Sequence, residues 1–381
     1  MKKALLSLSF GTFGLGVAEF SMMAILPYVA QDLNVSIPTA GNLISAYALG
    51  VCVGAPFLVI LRNRPLKFLL LLLASLMLVG NLMAALSPSY AVVMVARFIS
   101  GLPHGAYFGV ASIVAIKLAA EGKGASAVAG MVAGMTVANL AGVPLATFIS
   151  HALSWRMVFC FVTLWAAIVF FFIHRWVPEV EPLPHSTFKS QFRFLKNAAP
   201  WLILCTTMLG NGGIFAWYSY VNPMLTQIAG FSDSAVSILM VLAGGGMVLG
   251  NAVGGTLSDR FTPGRVISGV QVTVICAMLI LFFFCQLPIV AVVFMILATF
   301  GLFAVSSPQQ TLIVKHAPGG ELLGGACIQV AFNLGNAIGA QVGALPLRQG
   351  LTYEYPALVG AILVCCSLCF TLTFVRKYER R

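Results

Sequence analysis

The sequence is short of charge. Only 8% of its 381 residues are Asp, Glu, Lys or Arg, against roughly 25% in an ordinary soluble domain. Acids are scarcest, with ten Asp and Glu against 21 Lys and Arg. Because 60% of the residues are apolar, a water-soluble fold of this size would expose large apolar patches and aggregate. Lipid is the natural solvent for such a surface. Histidine is sparse as well. His104, His151, His174, His185 and His316 are scattered and form no metal-ligand spacing, so neither a metal nor a cofactor is expected. The absence of a P-loop argues against ATP hydrolysis by this chain, and no serine or cysteine nucleophile has an evident base, so the chain does not read as an enzyme. Long polar stretches are missing too: the longest is about 20 residues, which leaves no room for the soluble signalling segment of a receptor. A membrane enzyme acting on lipid would need clustered acids or histidines at one membrane face, and only Glu19, Arg97 and His104 stand inside apolar runs.

The nine cysteines all sit in apolar runs and read as small buried hydrophobes, not disulfide partners. A net charge of +11 would suit nucleic acid, but the cations form short clusters between apolar runs and no basic stripe. Nucleic acid is therefore not an expected partner. Lys2 and Lys3 ahead of an apolar stretch resemble a secretory leader. Glu19 inside that stretch, the lack of a small-x-small cleavage site and the spans that follow identify it as a retained first helix.

A helix needs about 20 apolar residues to cross the hydrocarbon core. Runs of that size recur at 4–29, 38–61, 66–86, 89–116, 124–150, 154–176, 198–229, 233–258, 263–286, 288–314, 320–347 and 353–375. The fold class expected is an all-α membrane protein of twelve transmembrane helices in two six-helix halves. Charge tests the count. With twelve spans, 18 of the 21 cations fall on one side, Arg156 and Arg348 on the other, and Arg97 within a span. Cations mark the cytoplasmic face, so both termini are expected there and the chain is expected in a bacterial inner membrane, as a monomer. The polar stretch 178–197, with Glu179, Glu181, Pro182, Pro184, His185, Lys189, Arg193 and Lys196, divides an N-terminal half, 1–177, from a C-terminal half, 198–381. Phe188, Phe192 and Leu195 recur at helical spacing and predict an amphipathic helix at the interface.

The halves repeat one another weakly. Ala138-Asn139-Leu140-Ala141-Gly142 in the fifth span answers Phe332-Asn333-Leu334-Gly335-Asn336 in the eleventh, and Gly54 answers Gly254-Gly255. Six-helix halves related by an axis along the membrane normal imply a transporter with its substrate site at midplane between them.

The motifs carry a family likeness. Gly255-Thr256-Leu257-Ser258-Asp259-Arg260-Phe261-Thr262-Pro263-Gly264-Arg265, after the eighth span, resembles the G-x-L-x-D-R-x-G-R signature of the major facilitator superfamily, with one extra residue before the last glycine. Gly255, Asp259, Arg260 and Arg265 then imply a latch that holds one state of a rocking transporter. The equivalent loop in the first half, Arg62-Asn63-Arg64-Pro65-Leu66-Lys67, has no acid. Arg97-Phe98-Ile99-Ser100-Gly101 resembles the superfamily's R-x-x-x-G pattern, tied there to proton coupling. Arg97, Gly101, His104 and Phe108 share one helical face. An intramembrane arginine must face protein or water, either as a coupling residue or as a structural donor to backbone carbonyls. Gly130, Gly134, Asn139, Gly142 and Pro144 on the fifth span resemble the antiporter signature of drug:proton exporters, departing from it where Val143 replaces a glycine. Together with Gly14-Leu15-Gly16-Val17-Ala18-Glu19 and Ser154-Trp155-Arg156, they make nearly the whole chain similar to the twelve-span drug:proton antiporter family, near its arabinose-inducible sugar-efflux members.

That likeness implies a secondary transporter exporting sugar or drug-like molecules in exchange for protons by alternating access. An importer of the same fold is the rival reading. Its partners would be the bilayer, protons and a small-molecule substrate. Glu19 is the acid deepest in a span, and burial disfavours a charged carboxylate, which suits it to carry the proton. Arg97 and His104 are candidates to tune it. Asn211, Phe215, Tyr218 and Asn222 are expected on one face of the seventh span, and Gln329, Asn333 and Asn336 on one face of the eleventh. With Gln309 and Gln310 of the tenth they form the candidate substrate cavity, since polar stripes facing lipid are costly.

Overall fold

The computed structural model describes residues 2–35, 37–180 and 187–379. Glu181, Pro182, Pro184 and His185 of the linker, and the terminal Arg380 and Arg381, lie outside the described residues. Within them the chain is helical and carries no strand. Twelve helices are long and apolar enough to cross a bilayer. In order they are α1 (Lys2–Asp32), α2 (Ile37–Ile60), α3 (Leu66–Ala85), α4 (Tyr90–Leu118), α5 (Gly124–Ala152), α6 (Trp155–Trp176), α7 (Ala198–Tyr218), α8 (Asp233–Arg260), α9 (Pro263–Phe284), α10 (Pro288–Lys315), α11 (Glu321–Arg348) and α12 (Tyr355–Phe374). Helices satisfy every backbone donor and acceptor within the segment, which hydrocarbon demands. Leu49, Phe57, Leu164, Phe171, Ile238 and Ile289 present apolar surface outward, as a lipid-facing shell requires.

The chain forms two compact units. The first contains Met1–Phe194 with Ala317–Val330, and the second Leu195–His316 with Ala331–Arg381. Helix α11 is thus shared between them. Inside the first unit α2 and α4 cross so closely that a Cβ at Gly54 would stand 1.9 Å from the Leu102 carbonyl oxygen. Inside the second, α8 and α10 repeat the contact, with a Cβ at Gly254 falling 2.0 Å from the Ala304 carbonyl oxygen. The two glycines are 200 positions apart, so the internal repeat is a repeat of packing.

Proline explains where helices depart from the simple spans. The seventh span, expected to 229, stops at Tyr218 and resumes only as short turns, Val221–Pro223 and the π-turn Met224–Ile228. Pro223 has no N–H for the carbonyl of Ser219, four residues back. In α10 the helix breaks at Val305, where Pro308 leaves the Ala304 carbonyl without its donor. In α5 a π-turn covers Ala138–Gly142, with the Val143 N–H reaching back to Ala138 just ahead of Pro144. By contrast α1 continues through Pro27 to Asp32 without a break. The expected amphipathic helix in the linker shrinks to Phe188–Gln191 followed by a 3₁₀ turn, Arg193–Lys196. The residues buried there are Gln191 and Phe194, at 2% and 1% exposure, while Phe188 is exposed, because so short a helix cannot sustain the Phe188–Phe192–Leu195 stripe.

Candidate functional site

In the first unit α4 is the most enclosed span, and its buried face carries Arg97 and His104, both at 0% exposure. Their surroundings come from α1, α2 and α11. Glu19 of α1 is buried, with its Oε2 3.8 Å from His104 Nε2. Neither of these two atoms has a hydrogen-bond partner. On the other side of the imidazole, Tyr47 of α2 sets its hydroxyl 2.9 Å from His104 Nδ1. The Phe108 ring stacks on the imidazole with centroids 5.4 Å apart, and the Gln329 amide of α11 comes alongside it.

Arg97 completes the cluster. Its Nη1 donates to the Ala18 carbonyl at 2.7 Å and its Nε to the Leu43 carbonyl at 3.4 Å. Its guanidinium carbon lies 4.3 Å from the Tyr47 ring centroid, a cation–π contact, and it is close enough to Glu19 to attract a carboxylate there. The two donations are the backbone-bonding role weighed for an intramembrane arginine, and they hold α4 to α1 and α2. The three residues singled out for coupling, Glu19, Arg97 and His104, are therefore neighbours, although Glu19 and His104 are 85 positions apart. Tyr47, which joins two of them, has no sequence signal beyond being a phenol in mid-span.

The second unit gathers most of the other polar candidates. Phe215 packs edge-on against Tyr218 and Phe332, with centroids 5.8 and 6.0 Å apart. Asn211, Gln309 and Gln310 are buried, whereas Asn333 and Asn336 are half-buried. Asn211 Oδ1, Gln309 Nε2 and Asn336 Oδ1 have no hydrogen-bond partner. Helices α7 and α11 approach backbone to backbone: a Cβ at Gly335, Gly339 or Gly343 would collide with the carbonyls of Met208, Gly212 and Ala216. Two candidates fall away from this group. Asn222 lies beyond the end of α7 and is exposed, so it does not share the face of Asn211, Phe215 and Tyr218. Gln329 belongs to the first unit, beside His104.

Comparison with known proteins agrees with this architecture. The family model described as Major Facilitator Superfamily matches residues 8–340. The chain belongs to the major facilitator superfamily. A protein of Escherichia coli (strain K12) named AraJ is 46% identical over 382 residues, covering 100% of this chain and 97% of the relative. A Helicobacter pylori (strain P12) protein named "Probable sugar efflux transporter" is 26% identical, covering 96% of this chain and 93% of its own length. A crystal structure of the E. coli fucose:proton symporter FucP shares the fold, with TM-score 0.79, 17% identity and coverage of 97% and 98% of the two chains. The superfamily is one of membrane transporters, so this chain is a multi-pass membrane transporter and not an enzyme.

Within the superfamily pattern, the last turns of α8 hold Gly255 buried, Asp259 half-buried and Arg260 exposed, and the first turn of α9 holds Arg265 exposed. Next to it the carboxylate of Glu379, two residues before the end of the sequence, accepts a 2.9 Å hydrogen bond from the Gly264 N–H, capping the first turn of α9. In the loop of the first half, Lys67 lies 3.6 Å from Glu179. The glycine series of α5 is not uniform. Gly134 is pressed against the Ser9 carbonyl of α1, and Gly142 against Val17, whereas Gly130 has open space around it. Asn139 donates to the Met135 carbonyl at 3.1 Å, and Pro144 is exposed.

Proposed function

We propose that this chain exports small molecules, sugar or drug-like, across the bacterial inner membrane in exchange for protons by alternating access, with Glu19 as the proton carrier. The observation that carries the proposal is the buried Glu19–His104 pair. The Oε2 of Glu19 has no fixed hydrogen bond and stands 3.8 Å from an imidazole nitrogen. A purely structural glutamate in this position would be expected to have both oxygens bonded. A carboxyl left unbonded, with Arg97 to steady its charged form, can gain a proton from one side of the membrane and lose it on the other. The export direction draws on the name of the Helicobacter relative and on the antiporter-like series on α5. Arg97 and His104 tune the exchange. Asn211, Phe215 and Tyr218 with Asn333, Asn336, Gln309 and Gln310 offer aromatic faces and amide tips that suit sugars and amphiphilic drugs alike. Gly255, Asp259, Arg260 and Arg265 form the latch. The working halves are 1–177 and 198–381, joined by 178–197.

Proteoliposomes preloaded with candidate solutes test the reading. Acidifying the outside should speed the loss of substrate from the wild type. Glu19→Gln should stay folded and bind substrate, yet lose the response to the gradient. Full gradient-driven efflux by that variant would remove Glu19 as the carrier. Efflux slowed by the same gradient would replace exchange with cotransport and make this an importer.

A further inference from the structure

A second site lies far from this cluster. A cavity of about 420 Å³ opens between the first turn of α1 and the last turn of α6, lined by Lys2, Lys3, Ala4, Arg175 and Trp176. Its volume falls within the roughly 300–1,000 Å³ of small-ligand sites. Three of its five lining residues are cations and none is acidic. No ion pair among the described residues involves them, and the next acid along the chain, Glu179, is set against Lys67. The first N–H groups of α1 add positive potential at the same end.

The surroundings point to the class of ligand. Both helices cross the bilayer, so their ends stand at headgroup level. Trp176 stacks on Phe172 with centroids 3.9 Å apart, and tryptophan favours that level. One turn deeper the same faces become apolar. Leu6 stands four residues from Lys2, and Phe171 four residues from Arg175, so each shares its cation's face. Both are exposed, at 45% and 59%. A ligand matched to this sequence of surfaces has an anionic phosphate above and hydrocarbon below. Basic pockets at the ends of transmembrane helices hold such headgroups. A soluble anion would use only the upper part and leave Leu6 and Phe171 without a role.

We propose that the cavity between α1 and α6 binds an anionic phospholipid, with its phosphate among Lys2, Lys3 and Arg175 and its acyl chains along Leu6 and Phe171. Native mass spectrometry of the purified full chain, with phosphatidylglycerol and phosphatidylcholine in competition, tests this. The wild type should retain phosphatidylglycerol preferentially. The triple variant Lys2→Gln, Lys3→Gln, Arg175→Gln should retain it at least about tenfold less, with phosphatidylcholine unchanged. The charge-preserving Lys2→Arg, Lys3→Arg, Arg175→Lys should behave as the wild type. Arg175→Gln alone should lose several-fold, which keeps the test decisive if the triple variant fails to fold. Equal retention by the Gln variants, or no preference between the two lipids, overturns the proposal. So does displacement of phosphatidylglycerol by inorganic phosphate alone, which would make this a soluble-anion site.

Discussion

Tyr47 engages two unlike partners with one side chain: its hydroxyl lies 2.9 Å from His104 Nδ1 and its ring face lies under the Arg97 guanidinium. A phenol has one proton to donate, and the Leu15 carbonyl, at 3.5 Å, is the poorer acceptor. When the hydroxyl donates to Nδ1 rather than to Leu15, the neutral imidazole carries its own proton on Nε2, the nitrogen that faces Glu19. Tyr47 in this way aims a donor at the carboxylate without touching it, and acts as a positioning residue for the proposed exchange. Tyr47→Phe keeps the ring beneath Arg97 and removes only the hydroxyl. Losing one neutral hydrogen bond of about 1 kcal/mol should slow gradient-driven turnover about fivefold, with the substrate KM unchanged. A KM that rises with kcat unchanged would instead place Tyr47 in substrate binding. The acid of this site was legible in the sequence, because an isolated carboxyl in an uncharged span stands out by itself. Its neighbours were not. Arg97 and His104 could be set on one face of a helix, but nothing in a sequence of this kind reports which helix lies opposite. Tyr47 lacks even a periodic companion to mark it.

At the scale of the helix, the glycines show what spacing conveys and what it hides. Gly130 and Gly134 belong to one motif at an interval that stacks them on one face, yet a Cβ at Gly134 would stand 1.8 Å from the Ser9 carbonyl oxygen while one at Gly130 meets nothing within 4 Å. Gly134→Ala should force α5 off α1 and lower the yield of folded protein, measured as monodisperse material after solubilisation. Gly130→Ala should be tolerated, with a gain in helix propensity of up to about 1 kcal/mol. Equal damage from both would mean that the motif acts as a unit through something other than this contact. A different device binds α7, α9 and α12. Gln271 Nε2 donates to Ser367 Oγ at 2.7 Å, Ser367 Oγ to the Thr206 carbonyl at 2.7 Å, and Thr371 Oγ1 to Gln271 Oε1 at 2.8 Å, all buried. Hydrogen bonds between transmembrane helices are worth roughly 0.6–2 kcal/mol each. Gln271→Leu leaves the Ser367 and Thr371 hydroxyls without their shared partner, and should lower the thermal unfolding temperature in detergent while leaving gradient-driven transport in place. Apart from the seventh, which ends at Tyr218 and not at 229, the spans were legible to within a few residues, since hydrophobic length is set by the bilayer and not by packing. The interruptions in α7 and α10 follow from Pro223 and Pro308. The same argument did not mark α1, where Pro27 sits in an unbroken helix. The Gln271 network carried no pattern, because single polar residues in apolar spans reveal a need for a partner but not its identity.

For the whole molecule the remaining question is which way it faces. Twelve crossings return the chain to the side on which it began, and 18 of its 21 cations then share that side. Of the three exceptions, Arg97 is buried in α4. Arg348, at the end of α11, donates to Gln341 Oε1 at 2.9 Å. Arg156 is paired with Asp32, to which the Trp155 indole also donates at 3.1 Å, and it donates in turn to the Ser87 carbonyl at 3.0 Å. Asp32 ends α1, Trp155 begins α6 and Ser87 joins α3 to α4, so this knot ties three connections on the face opposite the termini. A cation so engaged is partly neutralised, and its presence there does little to offset the bias on the other face. The retained cations should hold the termini in the cytoplasm. Single cysteines introduced on a background stripped of the native nine report the outcome. Gln31→Cys and Gln227→Cys, both at exposed positions, should react in intact cells with a maleimide that cannot cross the membrane. Glu121→Cys, exposed between α4 and α5, should react only after the cells are opened. The reverse pattern would invert the molecule and, with it, the side on which Glu19 takes up its proton. Reaction of positions 31 and 121 from the same side would break the count of twelve, because three spans separate them.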